Sequence, residues 1–282
     1  VGAEETEPGD GWPYDDFCAP LVANPDMDAK ELGSVMVDAY CASYNGGSQG
    51  SRNTNQSALD LTKFDAFLAK LDAFSVAMND NAHLTAIYKQ AFGKTQAFYY
   101  SQYKDLGDYI KELNLLTDNS EVKAAGTELK NFMDNEVVIN TGYIGSNLAG
   151  STGISIYIPT KSQLNDNIEA YRELKFAEAC HWDEFLQGVY FPNVPVISVK
   201  AVDVVEENDG AVNPGDTVKL VVRLQNEGMK PGMNLTVAAD VAGDAEVLGD
   251  AVVVDQVPAL STVEAPVIEV KIGDNCPIDT KL

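Results

Sequence analysis

The sequence predicts two domains of different class: a helix-rich α/β layer fold over residues 1–192 and an all-β sandwich of immunoglobulin type over residues 193–282. Three observations predict this. All 24 aromatic residues fall in the first stretch, whereas the last 90 residues contain none and carry 20 valines. Apolar residues recur every three to four positions through most of the first stretch but in short Val-rich runs through the second. Between them lies Phe191-Pro192-Asn193-Val194-Pro195, a Pro-rich joint typical of a linker. A length of 282 residues also suits two domains.

The first stretch opens with a helix around Cys18, ended by the Asn24-Pro25-Asp26 turn. Asp28 then caps a helix from Ala29 to about Tyr44, with Leu32, Val35, Met36, Ala39 and Tyr40 on one stripe. Residues Asn45 to Asn55 read as a Gly/Ser/Asn loop. Helices follow over Leu59–Met78, Ala82 to about Tyr99, Leu106–Leu116, and Ser120 to about Asn135. The period then shifts to that of strands at Glu136–Asn140 and Gly153–Ile158, the latter stopped by Pro159. Short helices at Asn167–Leu174 and Trp182–Leu186 close the region. Strands among helices give the α/β assignment.

In the second stretch, strands are predicted at Val196–Val205, Thr217–Gln225, Leu235–Val241, Ala245–Leu248, Ala251–Asp255 and Val263–Ile272. They are separated by turns at Asp209-Gly210, Asn213-Pro214-Gly215-Asp216 and Lys230-Pro231-Gly232. Six strands are one fewer than such a sandwich usually has, so a seventh is expected to begin at Thr280-Lys281-Leu282. The unfinished edge would allow self-association with a neighbouring subunit.

Charge and composition narrow the function. A net charge of −24 leaves no basic face for nucleic acid or an anionic membrane. No apolar run approaches the ~20 residues of a membrane span. Strong acidity, few lysines and an even number of cysteines suit an extracellular or cell-surface protein. Cys18 and Cys41, on consecutive antiparallel helices, are candidates for a disulfide, with two buried thiols as the alternative; Cys180 with Cys276 is a second candidate pair.

Constellations that could carry chemistry are few. His83 reads as a surface or packing residue. His181 follows Cys180 directly, but neighbours on a helix point about 100° apart and do not form a nucleophile–base pair. Hydrolase, phosphate-loop and zinc signatures are missing. No cofactor is expected, with one reservation: Asp203, Glu206, Glu207, Asp209, Asn213 and Asp216 cluster at a turn. Such oxygens suit calcium, although Val205 occupies the first ligand position of the helical calcium-loop pattern. A solvated acidic turn is the competing reading.

Several segments, taken in order, resemble the clostripain family of cysteine peptidases. They are Glu4-Glu5-Thr6-Glu7-Pro8-Gly9-Asp10-Gly11-Trp12-Pro13-Tyr14, Ala23-Asn24-Pro25 followed by Glu31-Leu32, and Gln56-Ser57-Ala58-Leu59-Asp60-Leu61. Farther on come Asp105-Leu106-Gly107-Asp108-Tyr109, Gly153-Ile154-Ser155-Ile156-Tyr157-Ile158-Pro159, and Tyr171, Leu174, Phe176-Ala177 with Trp182-Asp183-Glu184-Phe185-Leu186. The resemblance implies a caspase-like α/β fold, of which residues 1–192 would be the helix-rich second half. It implies that the catalytic His, followed by Gly, and the nucleophilic Cys precede the Glu-Glu…Gly-Trp segment. No catalytic residue therefore transfers to this sequence. It also implies an acidic residue lining a pocket for Arg or Lys side chains, for which Asp10 is the best-placed match, a protein or peptide substrate, and a partner chain carrying the dyad. The Val-rich tail is similar to the Ig-like modules that follow such secreted peptidases. The competing class is a non-catalytic surface, filament or binding protein on the same scaffold.

Overall fold

The computed structural model describes residues 1–4, 8–9, 11–207 and 210–276. The chain divides into two compact units, Val1–Tyr190 and Phe191–Leu282.

The first unit begins with the helical pair α1 (Tyr14–Ala23) and α2 (Ala29–Ser43). Asp28 and Glu31 form a reciprocal capping box at the start of α2. A small hairpin, β1 (Asn45–Gly47) and β2 (Gly50–Ser51), leads into β3 (Thr54–Leu59). This strand lies where a loop and a helix start are predicted. Its sequence, Thr-Asn-Gln-Ser-Ala-Leu, shows no alternation of apolar and polar residues, yet residues 54–58 are all buried. Helices α3 (Phe64–Asp80) and α4 (Thr85–Lys94) follow, then the short strand β4 (Tyr103–Asp105) and α5 (Leu106–Leu116). Helix α6 (Ser120–Phe132) is capped by Asn119, whose side chain accepts from the Val122 amide, and continues through a wider turn, Met133–Val137. Strands β5 (Val138–Ile144) and β6 (Ser155–Tyr157) precede α7 (Lys161–Arg172), α8 (Lys175–Ala179) and α9 (Trp182–Tyr190). Helix α7 starts six residues before its predicted beginning, because Thr160 and Gln163 form a second capping box.

Two antiparallel ribbons organise this unit. β3 pairs with β5 along one edge, Ser57 facing Thr141, and through Ser57 with Gly2 along the other. Gly2 and Ser57 exchange two backbone hydrogen bonds of 2.9 Å, so β3 is the middle strand of a three-part arrangement. β4 pairs with β6, Lys104 facing Ile156. Helix α2 packs on the β3–β5 ribbon, whereas α3, α5, α6 and α9 enclose the main core. That core is aromatic: Phe74, Tyr88, Tyr109, Trp182 and Phe185 are all buried. Trp182 also donates from Nε1 to the Tyr157 carbonyl at 2.8 Å, fixing α9 to β6.

The second unit is all-β among the described residues. β8 (Thr217–Asn226) is central. Along one edge it pairs with β7 (Ile197–Val205), and along the other with β12 (Thr262–Glu264) and β13 (Ile268–Ile272). β10 (Ala245–Leu248) extends this sheet beyond β13, and β9 (Gly232–Val237) with β11 (Val252–Val257) makes a separate ribbon. Val222 and Leu224 from the sheet meet Val254 and Val257 from the ribbon in one apolar core. The span predicted as one strand, Val263–Ile272, is two: Pro266 lacks an amide for the ladder and divides it. Among the described residues seven strands thus stand where six are predicted. The further strand expected at Thr280-Lys281-Leu282 lies outside the described residues.

Candidate functional site

The structure concentrates buried polar groups at one place in the first unit, where Val1–Glu4, β3, the start of α5 and the turn before β6 converge. Asp105 caps α5: one oxygen accepts from the Asp108 amide at 2.7 Å and from the Thr152 hydroxyl at 2.7 Å, and the other from the Thr152 amide at 2.6 Å. Gly107, in the first turn, leaves room for Thr152; a Cβ there would overlap its hydroxyl. Asp108 accepts from the Gln96 amide at 2.8 Å and from Lys111 at 2.9 Å.

Glu4 enters from the other side. Its amide donates to Asn55 Oδ1 at 3.2 Å, and its Oε2 accepts from Asn55 Nδ2 at 3.1 Å and from the Gly153 amide at 3.2 Å. Gly153 holds φ at 113°, which an L-residue adopts only under strain, and this turns its amide towards Glu4 while its carbonyl accepts from the Ser57 hydroxyl. Glu4 Oε1 is buried without a hydrogen-bond donor. Burial foremost, then the charge of Asp105 and a hydrogen bond to it, push the Glu4 carboxyl up to about 10, against the Gly153 amide, which favours ionisation. Above this network Val1–Glu4, Ser57, Leu59, Leu61 and Gly153–Ser155 line a cleft of about 280 Å³. Next to it, sharing Ile154 and Ser155, an apolar groove of about 300 Å³ runs along β6 between Phe64 and Tyr171.

The residues singled out from sequence fall differently. Asp10 lies outside the described residues, as do Glu5, Thr6 and Glu7. The segment after them is anchored: the Tyr44 hydroxyl donates to the Gly11 carbonyl at 2.6 Å, and Trp12 packs on Tyr40 with ring centroids 4.7 Å apart. The Cys18–Cys41 bridge is not made, and all four cysteines are free thiols. Cys41 instead directs its sulfur at Gly142 of β5, within 2.9 Å of where a Cβ would stand. Burial holds both the Cys41 and Cys180 thiols up at about 11, the opposite of an activated nucleophile. His83 is exposed in a single turn before α4. His181 Nδ1 lies 2.6 Å from Asp72 of α3, whose Oδ1 also accepts the His181 amide at 2.9 Å. The hydrogen bond to Asp72 raises His181 above its ordinary value. Neither Cys41 nor Cys180 is thus prepared as a nucleophile.

The acidic turn of the second unit engages its own neighbours. Arg223 pairs with Asp203, Lys219 with Glu207 at 2.7 Å, Glu206 accepts the Gly210 amide, and Asp216 accepts the Asn213 amide. Asp209 lies outside the described residues. Among the described residues no three His, Cys, Asp or Glu side chains are grouped so as to hold a metal ion. No described helix is long and apolar enough to cross a membrane.

Sequence reasoning missed the Glu4–Asp105 pair. Asp105 carried a signal, since Asp three residues before Asp108 opens an apolar helical stripe as an N-cap does. Nothing local marks Glu4, whose role comes from a contact 101 positions away in sequence.

Comparison with known proteins gives one match. Residues 1–189 fit the family model described as the clostripain family, a family of peptidases. No curated protein and no solved structure matches.

Proposed function

The chain belongs to the clostripain family, and from that premise we propose that it is the scaffold and substrate-pocket portion of a secreted cysteine endopeptidase that cleaves after Arg or Lys. The family implies a caspase-like α/β fold and cysteine-peptidase-related chemistry. One observation supports the finer reading: the family match covers residues 1–189, yet burial raises the thiols of Cys41 and Cys180 and the His181 imidazole is engaged by Asp72. The nucleophile and its histidine then belong to another polypeptide segment, which completes the site. Acyl transfer would proceed there by thiolate attack, with an oxyanion hole supplied around it. The cleft at Val1–Glu4 and Gly153–Ser155 is where that segment would approach. Asp10 would select the cationic side chain by charge pairing. The second unit would act as an Ig-like spacer or anchor.

The test is reconstitution. The purified chain alone should not hydrolyse an Arg or Lys reporter peptide. Addition of a polypeptide bearing the family's His-Gly and Cys strands should restore hydrolysis, and Asp10→Asn should raise KM far more than it lowers kcat. Failure of the assembled pair to cleave would overturn the reading. A non-catalytic binding or filament protein is the second reading. It is favoured by β7, which pairs only with β8 among the described residues and exposes Val199, Val202 and Val204 along its length.

A further inference from the structure

The buried polar network gives Val1–Glu4 a property that the scaffold role does not require. Asp105 is fully buried and its two oxygens already accept three donors, two from amides and one from a hydroxyl. Glu4 meets the same pocket with one oxygen satisfied by Asn55 and Gly153 and the other buried without a donor. Two adjacent buried carboxylates cannot both remain charged at low cost, and one proton between them satisfies the orphaned oxygen and the repulsion together.

We propose that Glu4 and Asp105 share one proton, carried by Glu4, and that this shared proton latches the segment Val1–Glu4 onto β3. Glu4 donates it to Asp105 as an O–H···O hydrogen bond. Loss of the proton leaves two like charges in one buried pocket. The segment then gives up the paired bonds between Gly2 and Ser57, and the cleft it lines opens on that side.

The charged groups around the pair agree with this assignment. From α5, Asp108 is occupied by Lys111 and by the Gln96 amide. From α6, Lys130 is committed to Asp134 at 2.6 Å. From β4, Lys104 is half-buried and lowered by desolvation. From β3, Asn55 is neutral and already bonded to Glu4. None of these cations neutralises Glu4.

The sign follows from linkage. A carboxyl whose folded value lies above its unfolded one binds an extra proton in the folded state. Its contribution to stability is complete below the ordinary value of 4.5 and is lost as pH rises towards about 10. Glu4→Gln keeps an acceptor for Asn55 and Gly153, supplies a permanent donor to Asp105, and removes the titration.

The experiment compares unfolding of wild type and Glu4→Gln in urea at pH 5.5, 6.5 and 7.5. The folded-to-unfolded ratio of the variant should gain on wild type by about tenfold per pH unit. A ratio between the two proteins that is constant with pH would overturn the proposal. A carboxyl ¹³C titration of wild type gives a second readout that needs no variant. Glu4 should remain protonated at pH 7, and titration near 4.5 would equally overturn the proposal.

Discussion

At the scale of single residues, the molecule sets neighbouring carboxyls to opposite states. Asp60, at the end of β3, receives Lys30 Nζ at 2.6 Å and the hydroxyl and amide of Thr62. The Lys30 hydrogen bond, then that of the Thr62 hydroxyl, hold Asp60 down at about 2. Its contribution is present above the ordinary value of 3.8 and is lost as pH falls towards 2, the reverse of Glu4. Asp60→Asn should therefore abolish part of the acid limb of the stability curve and leave the limb above pH 5 unchanged in slope. Urea titrations between pH 3 and 7 would read this directly. His181 behaves as a third kind. Paired with Asp72 it stabilises while protonated, below about 6.5, and loses that contribution as pH rises through its raised value. Being mostly exposed, the pair is screened and modest. The thiols follow their surroundings as well. Cys18 is exposed, whereas Cys41 and Cys180 are pushed up to about 11. At pH 7.5 a maleimide should label Cys18 first, and rapid labelling of Cys180 in the folded protein would contradict its burial.

At the scale of elements, what was legible in the sequence is what local rules decide. Helix α5 spans the predicted Leu106–Leu116 because its apolar stripe and Asp105 cap act within a few residues. The capped start of α2 at Asp28 was legible for the same reason. β3 was not, because Thr54–Leu59 is polar and earns its place only by being paired on both edges and covered by α2. The division of Val263–Ile272 was foreshadowed by Pro266 alone. In the second unit, Asn226 shows how a polar side chain can hold several turns. Its Nδ2 donates to the carbonyls of Lys230, Val257 and Pro258 at 2.8–3.1 Å, and its Oδ1 accepts from the Val196 and Gly228 amides at 3.0 and 2.9 Å. Asn226→Asp turns that donor into a carboxylate facing three carbonyls. A loss of about 3 kcal/mol or more is expected for the second unit, growing as pH rises from 4 to 7. Chemical denaturation followed by hydrogen exchange in β8 and β11 would check it.

At the scale of the whole molecule, two compact units with different cores should unfold separately. Calorimetry is expected to show two transitions. The aromatic fluorescence change should accompany only the first unit's, since every Trp and Tyr lies in residues 1–192. Glu4→Gln should move that transition alone, and Asn226→Asp only the other. The partition of aromatic residues marks two parts in the sequence, whereas the Glu4–Asp105 site was not legible there. Its chemistry depends on groups that meet from Val1–Glu4, Asn55, Asp105 and Gly153, and no periodicity reports such a meeting. The proposal built on membership of the clostripain family is that this chain works with a dyad carried elsewhere.

The most direct measurement is a denaturing intact-mass spectrum of the material purified from its natural source, with peptide sequencing of every species. A second chain bearing a His-Gly pair and a Cys-containing strand, co-purifying with this one, is the expected result. A single species near 30.4 kDa, with no partner and no hydrolysis of an Arg or Lys reporter, would contradict the account.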